Sequence, residues 1–199
     1  ARGTSGQGLL FTDESIVYSP GQFVSNITSA MDPGIDASET LGFVMEAMTW
    51  VTAVVMTGWL DKFPKLKCAV LESNASWLPM VLGRSKNFLD LFAFQRDNRK
   101  IRDPHEAVYE RCSIGFESDE TPVYRLWDLF EGVAIWSSDY PHHDAEDAWD
   151  ALEHMAEFKV PEKVQRALLG ENARKLYGIE PVLKVRERIA DYSPAILPW

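Results

Sequence analysis

Three short apolar runs constrain this chain more than any other feature. They are Leu66-Lys67-Cys68-Ala69-Val70-Leu71, Arg111-Cys112-Ser113-Ile114-Gly115-Phe116 and Gly132-Val133-Ala134-Ile135-Trp136-Ser137. Each has the length of a strand, and near-continuous apolar character is that of a strand covered on both faces. Helical stretches separate them. A helix is predicted over 39–60, because Leu41, Val44, Met45, Met48, Val51, Val54 and Val55 recur at steps of three and four. Asp36 or Ser38 is placed to cap it, and Gly58 and Pro64 to end it. Further helices are predicted over 75–94, 120–130, 145–158 and 161–169, with a short one over 171–177 that ends at Gly178. Pro104 opens a helical turn over 104–109. Strands alternating with helices in this way make parallel βαβ units, so the fold class is α/β.

Residues 1–38 read as an irregular head, with short extended pieces at 16–18 and 23–24, and residues 180–199 as a C-terminal arm; the βα body is 39–179. The 199 residues carry 20 Lys and Arg against 30 Asp and Glu, a formal net charge of −10. No basic stripe offsets that charge, so a nucleic-acid partner is not expected. The most apolar stretch, around 45–60, is interrupted by Glu46, Thr49, Thr52, Thr57 and Gly58. It falls short of the roughly 20 apolar residues of a membrane span. No signal peptide is read at the start of the chain, and a soluble cytoplasmic protein is expected. Cys68 and Cys112 lie in different apolar runs without metal-ligand spacing and read as reduced, buried thiols.

Each apolar run stops at a polar cluster: Glu72-Ser73-Asn74, Glu117-Ser118-Asp119, and Ser138-Asp139-Tyr140-Pro141-His142-His143. In parallel α/β folds the carboxyl ends of the strands carry the chemistry. Asp139 is the foremost candidate. A carboxylate at a strand mouth holds a metal ion and accepts a proton from metal-bound water; the alternative is a turn or capping aspartate. His142 is read as orienting Asp139 or touching substrate, and alternatively as a loop histidine bonded to backbone. His143 is read as a loop residue. Glu72, at the equivalent rim position of the first run, is read as a general acid or as the ion-pair partner of Arg84. Glu117 and Glu120 are expected in a solvated loop, with lining of the same rim as the alternative; His105 and His154 are expected in structural roles, and Trp77 and Trp136 near a pocket wall. The chain has no GxSxG elbow, no Ser-xx-Lys pair and no Walker loop, so nucleophilic and phosphate-cradle chemistries lack support.

Three blocks resemble one family. Gly58-Trp59-Leu60-Asp61-Lys62-Phe63-Pro64, followed by Leu71-Glu72-Ser73 and Trp77-Leu78-Pro79, is similar to a stretch of the amidohydrolase-related proteins. That family includes aminocarboxymuconate-semialdehyde decarboxylase. Trp136-Ser137-Ser138-Asp139-Tyr140-Pro141-His142 resembles its "SDyPH" signature, and Leu169-Gly170-Glu171-Asn172-Ala173-Arg174-Lys175-Leu176-Tyr177-Gly178 its closing "GeNArrLyg" helix. The blocks stand in family order.

The resemblance implies a (β/α)8 TIM barrel of the metal-dependent hydrolase type, of which this chain is the C-terminal part, strands six to eight. It implies one divalent metal at the carboxyl rim, zinc before manganese, and no organic cofactor. The family's ligands are a His-x-His after the first strand, a His after the fifth, and the Asp of "SDyPH"; only the last carries over, onto Asp139. This chain has no His-x-His and no histidine before His105. Glu72 stands where many members have a histidine. A full barrel takes about 250 residues, so a second polypeptide supplying the N-terminal half-barrel, and an oligomer, are expected. The resemblance thus implies a metal-dependent hydrolase or decarboxylase acting on a small organic acid or lactone. The alternative is a non-catalytic binding or regulatory subunit on the same scaffold. An unrelated flavodoxin-like domain that binds a small ligand is a third reading.

Overall fold

The computed structural model describes residues 10–11, 16–17, 35–96 and 101–180, with side chains from residue 40 onward. Two compact units emerge: 1–73 with 77–112, and 74–76 with 113–199.

In the first unit, β1 (Leu10–Phe11) and β2 (Ile16–Val17) pair antiparallel, Leu10 opposite Val17. The extended piece expected at 16–18 is met there; the one at 23–24 lies outside the described residues. Helix α1 (Ile35–Met56) begins and ends earlier than 39–60. Asp36 and Ser38 fall inside it, and their side chains lie outside the described residues. The break comes at Gly58, whose φ of 67 is left-handed and leads straight into α2 (Trp59–Lys62). A Cβ at Gly58 would stand 3.4 Å from both Asp61 Oδ2 and Ile101 Cγ1, so glycine suits both the torsion and the space. Val51, Ala53, Val54 and Val55 of α1 are buried. The strand expected at 66–71 is the shorter β3 (Cys68–Val70). Helix α3 (Leu78–Leu91) buries Leu78, Val81, Leu82, Ser85 and Leu89, one face at helical spacing. Lys86 on α3 meets the Asp103 carboxylate at 2.6 Å. Asp103 also caps α4 (Pro104–Arg111), accepting from the His105 amide at 2.8 Å, with Pro104 in the first turn. Arg111 closes the unit by donating to the carbonyls of Leu60 and Phe63.

β4 (Cys112–Phe116) begins at the last residue of the first unit and continues in the second, where it runs parallel to β5 (Ala134–Trp136), with Ile114 opposite Ala134 and Phe116 opposite Trp136. Every residue of β4 is buried, as its apolar run requires. The crossover expected as one helix is two, α5 (Thr121–Arg125) and α6 (Trp127–Phe130). Leu126, at φ −114 and ψ 35, leaves helical geometry between them. Tyr124, Phe116, Phe130 and Ile114 are fully buried and form the heart of the core with Met155 and Leu168. After β5 come α7 (Ala148–Glu157), α8 (Glu162–Arg166), a π-turn at Ala167–Glu171 and α9 (Asn172–Tyr177). Gly178, φ 65, ends α9 as the sequence predicts. The Asn172 side chain donates to the carbonyls of Glu131 and Ala134, both at 2.8 Å, and so pins α9 to the start of β5. The C-terminal arm lies outside the described residues beyond Glu180. No helix among the described residues is long and apolar enough to cross a membrane.

Candidate functional site

Because β4 and β5 are parallel, the segments that follow them leave from one end of the pair. Ser137 N donates to Phe116 O at 2.9 Å, carrying the ladder one step past β5. From there the two loops are stitched together. Asp119 N donates to Glu146 Oε2 at 2.9 Å, and Glu146 N donates to Ser138 O at 3.0 Å. Ser118, 1% exposed, is the hub. Its hydroxyl accepts from Trp136 Nε1 at 3.0 Å and donates to Asp147 O at 2.9 Å, while its carbonyl accepts from the Tyr124 hydroxyl at 2.9 Å. Asp147 then caps α7, accepting from the amides of Trp149 and Asp150. Trp136 thus stands at the rim, as expected. Trp77 is buried in the first unit, its indole donating to Ser73 O at 2.8 Å.

Asp139 sits half-buried just past β5 in the left-handed region, at φ 51. Short Asp and Asn side chains tolerate this conformation better than most. Its carbonyl accepts from His142 N at 2.9 Å across a cis Tyr140–Pro141 bond, and His142 O accepts from Ala145 N at 3.2 Å. The structure therefore brings Asp139 and His142 into one turn, joined through backbone, with the His142 side chain exposed. His143, also exposed, lies 3.9 Å from Asp144. His105 meets Asp103 at a helix start and His154 stacks on Tyr124 at 5.5 Å, the structural roles expected of them.

Glu72 belongs to the first unit. It is exposed, with φ 54, and so is not the buried carboxylate envisaged. Arg84, its expected partner, instead lies over the Phe88 ring at 4.7 Å.

The expectation of a solvated loop fails at Glu120. The residue is 6% exposed, and its carboxylate accepts from the amides of Ala75, Ser76 and Glu117 and from the Ser76 hydroxyl at 2.6 Å. Four donors compensate the desolvation of one charge. Glu117, half-buried, has its carboxyl pushed up to about 7, first by burial and then by the charges of Asp139, Asp119, Glu120 and Asp144. Burial and like charge both disfavour the carboxylate. The signal for both glutamates lay in the sequence. They follow an apolar strand just as Asp139 does, but their high polarity outweighed that position.

The loops 117–120 and 137–147 contain no Lys or Arg. Such a mouth attracts a cation, which would favour the carboxylate form that burial and like charge disfavour at Glu117. Yet among the described residues no three His, Cys, Asp or Glu side chains gather as a metal-holding group. The chemistry of the donors suits a divalent ion, but the described residues do not complete a site for one.

Comparison with known proteins agrees with this architecture. The amidohydrolase family model matches residues 16–179. An amidohydrolase from Mycobacterium avium subsp. paratuberculosis K-10 is similar in structure, with TM-score 0.60 and 18% identity over 79% of this chain and 40% of that one. So is the 5-carboxyvanillate decarboxylase LigW of Sphingomonas paucimobilis, with TM-score 0.59 and 20% identity over 81% of this chain and 47% of that one. At these identities the likeness speaks for the fold, an α/β architecture with parallel strands. This chain spans less than half the length of either protein. The search of curated proteins returned no match. With its family model covering all but the two ends, the chain belongs to the amidohydrolase family.

Proposed function

We propose that this chain is the C-terminal part of a (β/α)8 barrel, strands six to eight, of a metal-dependent hydrolase or decarboxylase acting on a small organic acid or lactone. Asp139 is the one ligand it contributes to a divalent ion, zinc or manganese, and is also the proton acceptor at that site. The remaining ligands come from sequence outside these residues, in a second polypeptide or in further chain. Bound there, the ion acts as a Lewis acid. His142 steadies the Asp139 turn and faces substrate.

The observation that carries this reading is the placement of Asp139. It is half-buried at the mouth of β5, in a left-handed turn, and its charge helps to push up the Glu117 carboxyl. Acids are the substrates of the decarboxylase it resembles, by that protein's own name.

The test is metal content and turnover of the assembled protein, with Asp139→Asn beside the parent. Near-stoichiometric zinc or manganese, lost together with activity in the variant, is the expected result. Undiminished turnover in the variant would refute the role of Asp139. A metal-free complex that still binds small acids would favour a regulatory subunit on the same scaffold.

A further inference from the structure

Cys68 and Cys112 are 44 positions apart in sequence, yet both belong to the first unit and open neighbouring strands, β3 and β4. Both are free thiols; Cys68 is half-buried and Cys112 buried. The two sulfurs are within hydrogen-bonding reach of each other. Neither thiol has a part in the proposed chemistry, and the sequence read them as unrelated residues of separate apolar runs.

We infer that Cys68 and Cys112 form an oxidisable dithiol, a site at which a small disulfide oxidant such as oxidised glutathione closes a reversible cross-link between the starts of β3 and β4. The chemistry follows from the asymmetry of the pair. Cys68 is the accessible sulfur and the attacking one. The Cys112 S–H donates to the Cys68 thiolate, which lowers the Cys68 thiol to about 7 despite its partial burial. The same interaction and deeper burial push the Cys112 thiol up, so it holds the proton. At neutral pH a substantial share of Cys68 is thiolate, the form that reacts.

Cys68 attacks one sulfur of oxidised glutathione and expels one glutathione thiolate, leaving a mixed disulfide at Cys68. Cys112 then loses its proton to solvent, attacks the Cys68 sulfur and expels the second glutathione thiolate. The two protein thiols are oxidised by two electrons, and one oxidant becomes two glutathiones. The resolving sulfur is already beside the attacked one, so the mixed disulfide is short-lived.

Mass spectrometry of the native protein tests this without a variant. Lys67 precedes Cys68 and Arg111 precedes Cys112, so trypsin releases one peptide starting at each cysteine. After incubation with oxidised glutathione at neutral pH, the two peptides should appear joined, two hydrogens lighter than their sum, and separate again with dithiothreitol. Cys112→Ser should instead accumulate glutathione on Cys68. In that variant the pH midpoint of Cys68 alkylation by iodoacetamide should rise by at least one unit. Stable glutathione on Cys68 of the parent protein, with no internal link, overturns the proposal. So does oxidation that leaves both thiols untouched, or an alkylation midpoint unmoved by Cys112→Ser.

Discussion

At position 120 a single carboxylate gathers the amides of Ala75, Ser76 and Glu117 and the Ser76 hydroxyl. Glu120→Ala strands those donors in a buried place, and each unsatisfied group costs about 1–3 kcal/mol. We expect a loss near 3 kcal/mol, read as a lower urea midpoint with unchanged slope. Glu120→Gln keeps one acceptor oxygen and should lose about half as much; equal midpoints for both variants and the parent would show that the clamp carries no stability. Glu117 works in the opposite sense. Its folded carboxyl is raised from 4.5 to about 7, so the fold prefers the protonated form. The stability linked to it is fully present below the unfolded value and is lost as pH rises through about 7. Glu117→Gln removes that loss. In chelator-treated protein the variant should exceed the parent by about 1–2 kcal/mol at pH 8, a full shift discounted for partial exposure. At pH 4 the difference should vanish. A gap that does not change across this range would mean that burial and the charge of Asp139 do not act on Glu117 as described.

Among the elements, the joints hold more information than the spans. Asn172 fastens α9 to the end of the β4–β5 crossover and the start of β5 by two bonds from one amide group. Asn172→Ala should cost about 1–3 kcal/mol, since it removes both of these bonds at once; thermal unfolding of the variant against the parent decides it. The sequence disclosed such joints unevenly. Gly58, Pro104 and Gly178 stand out because glycine and proline restrict or free the backbone locally, and each ends or starts a helix as its chemistry demands. β3, β4 and β5 could be placed because their apolar runs are short and bounded. The split at Leu126 could not, because nothing in its side chain breaks a helix. The same limit applies to the site. Asp139 was visible from its place after an apolar strand, whereas the fate of Glu120 depended on donors 44 and 45 positions away. The Cys68–Cys112 pair was hidden for the same reason, since linear spacing says nothing of which strands become neighbours.

At the scale of the molecule, the question is what completes the rim. The (β/α)8 architecture closes only when every strand has two neighbours, and it takes about 250 residues. Among the described residues β5 has β4 beside it and an edge left over. An unpaired edge exposes amides and carbonyls that invite another strand. The acidic mouth lies at the end of that same pair, where burial and the charge of Asp139 and its acidic neighbours push up the Glu117 carboxyl. Under the proposed function one event would answer both: strands bearing further ligands would close the edge and, with a cation, neutralise the mouth. Native mass spectrometry of gently purified protein should therefore find a species heavier than one chain that carries a divalent metal, and chelation should weaken it. Hydrogen exchange at the β5 amides that do not point to β4 should be slow in that species and fast in the isolated chain. A stable monomer whose β5 amides are already fully protected would mean that no further strand is needed, and the half-barrel reading would fall with it.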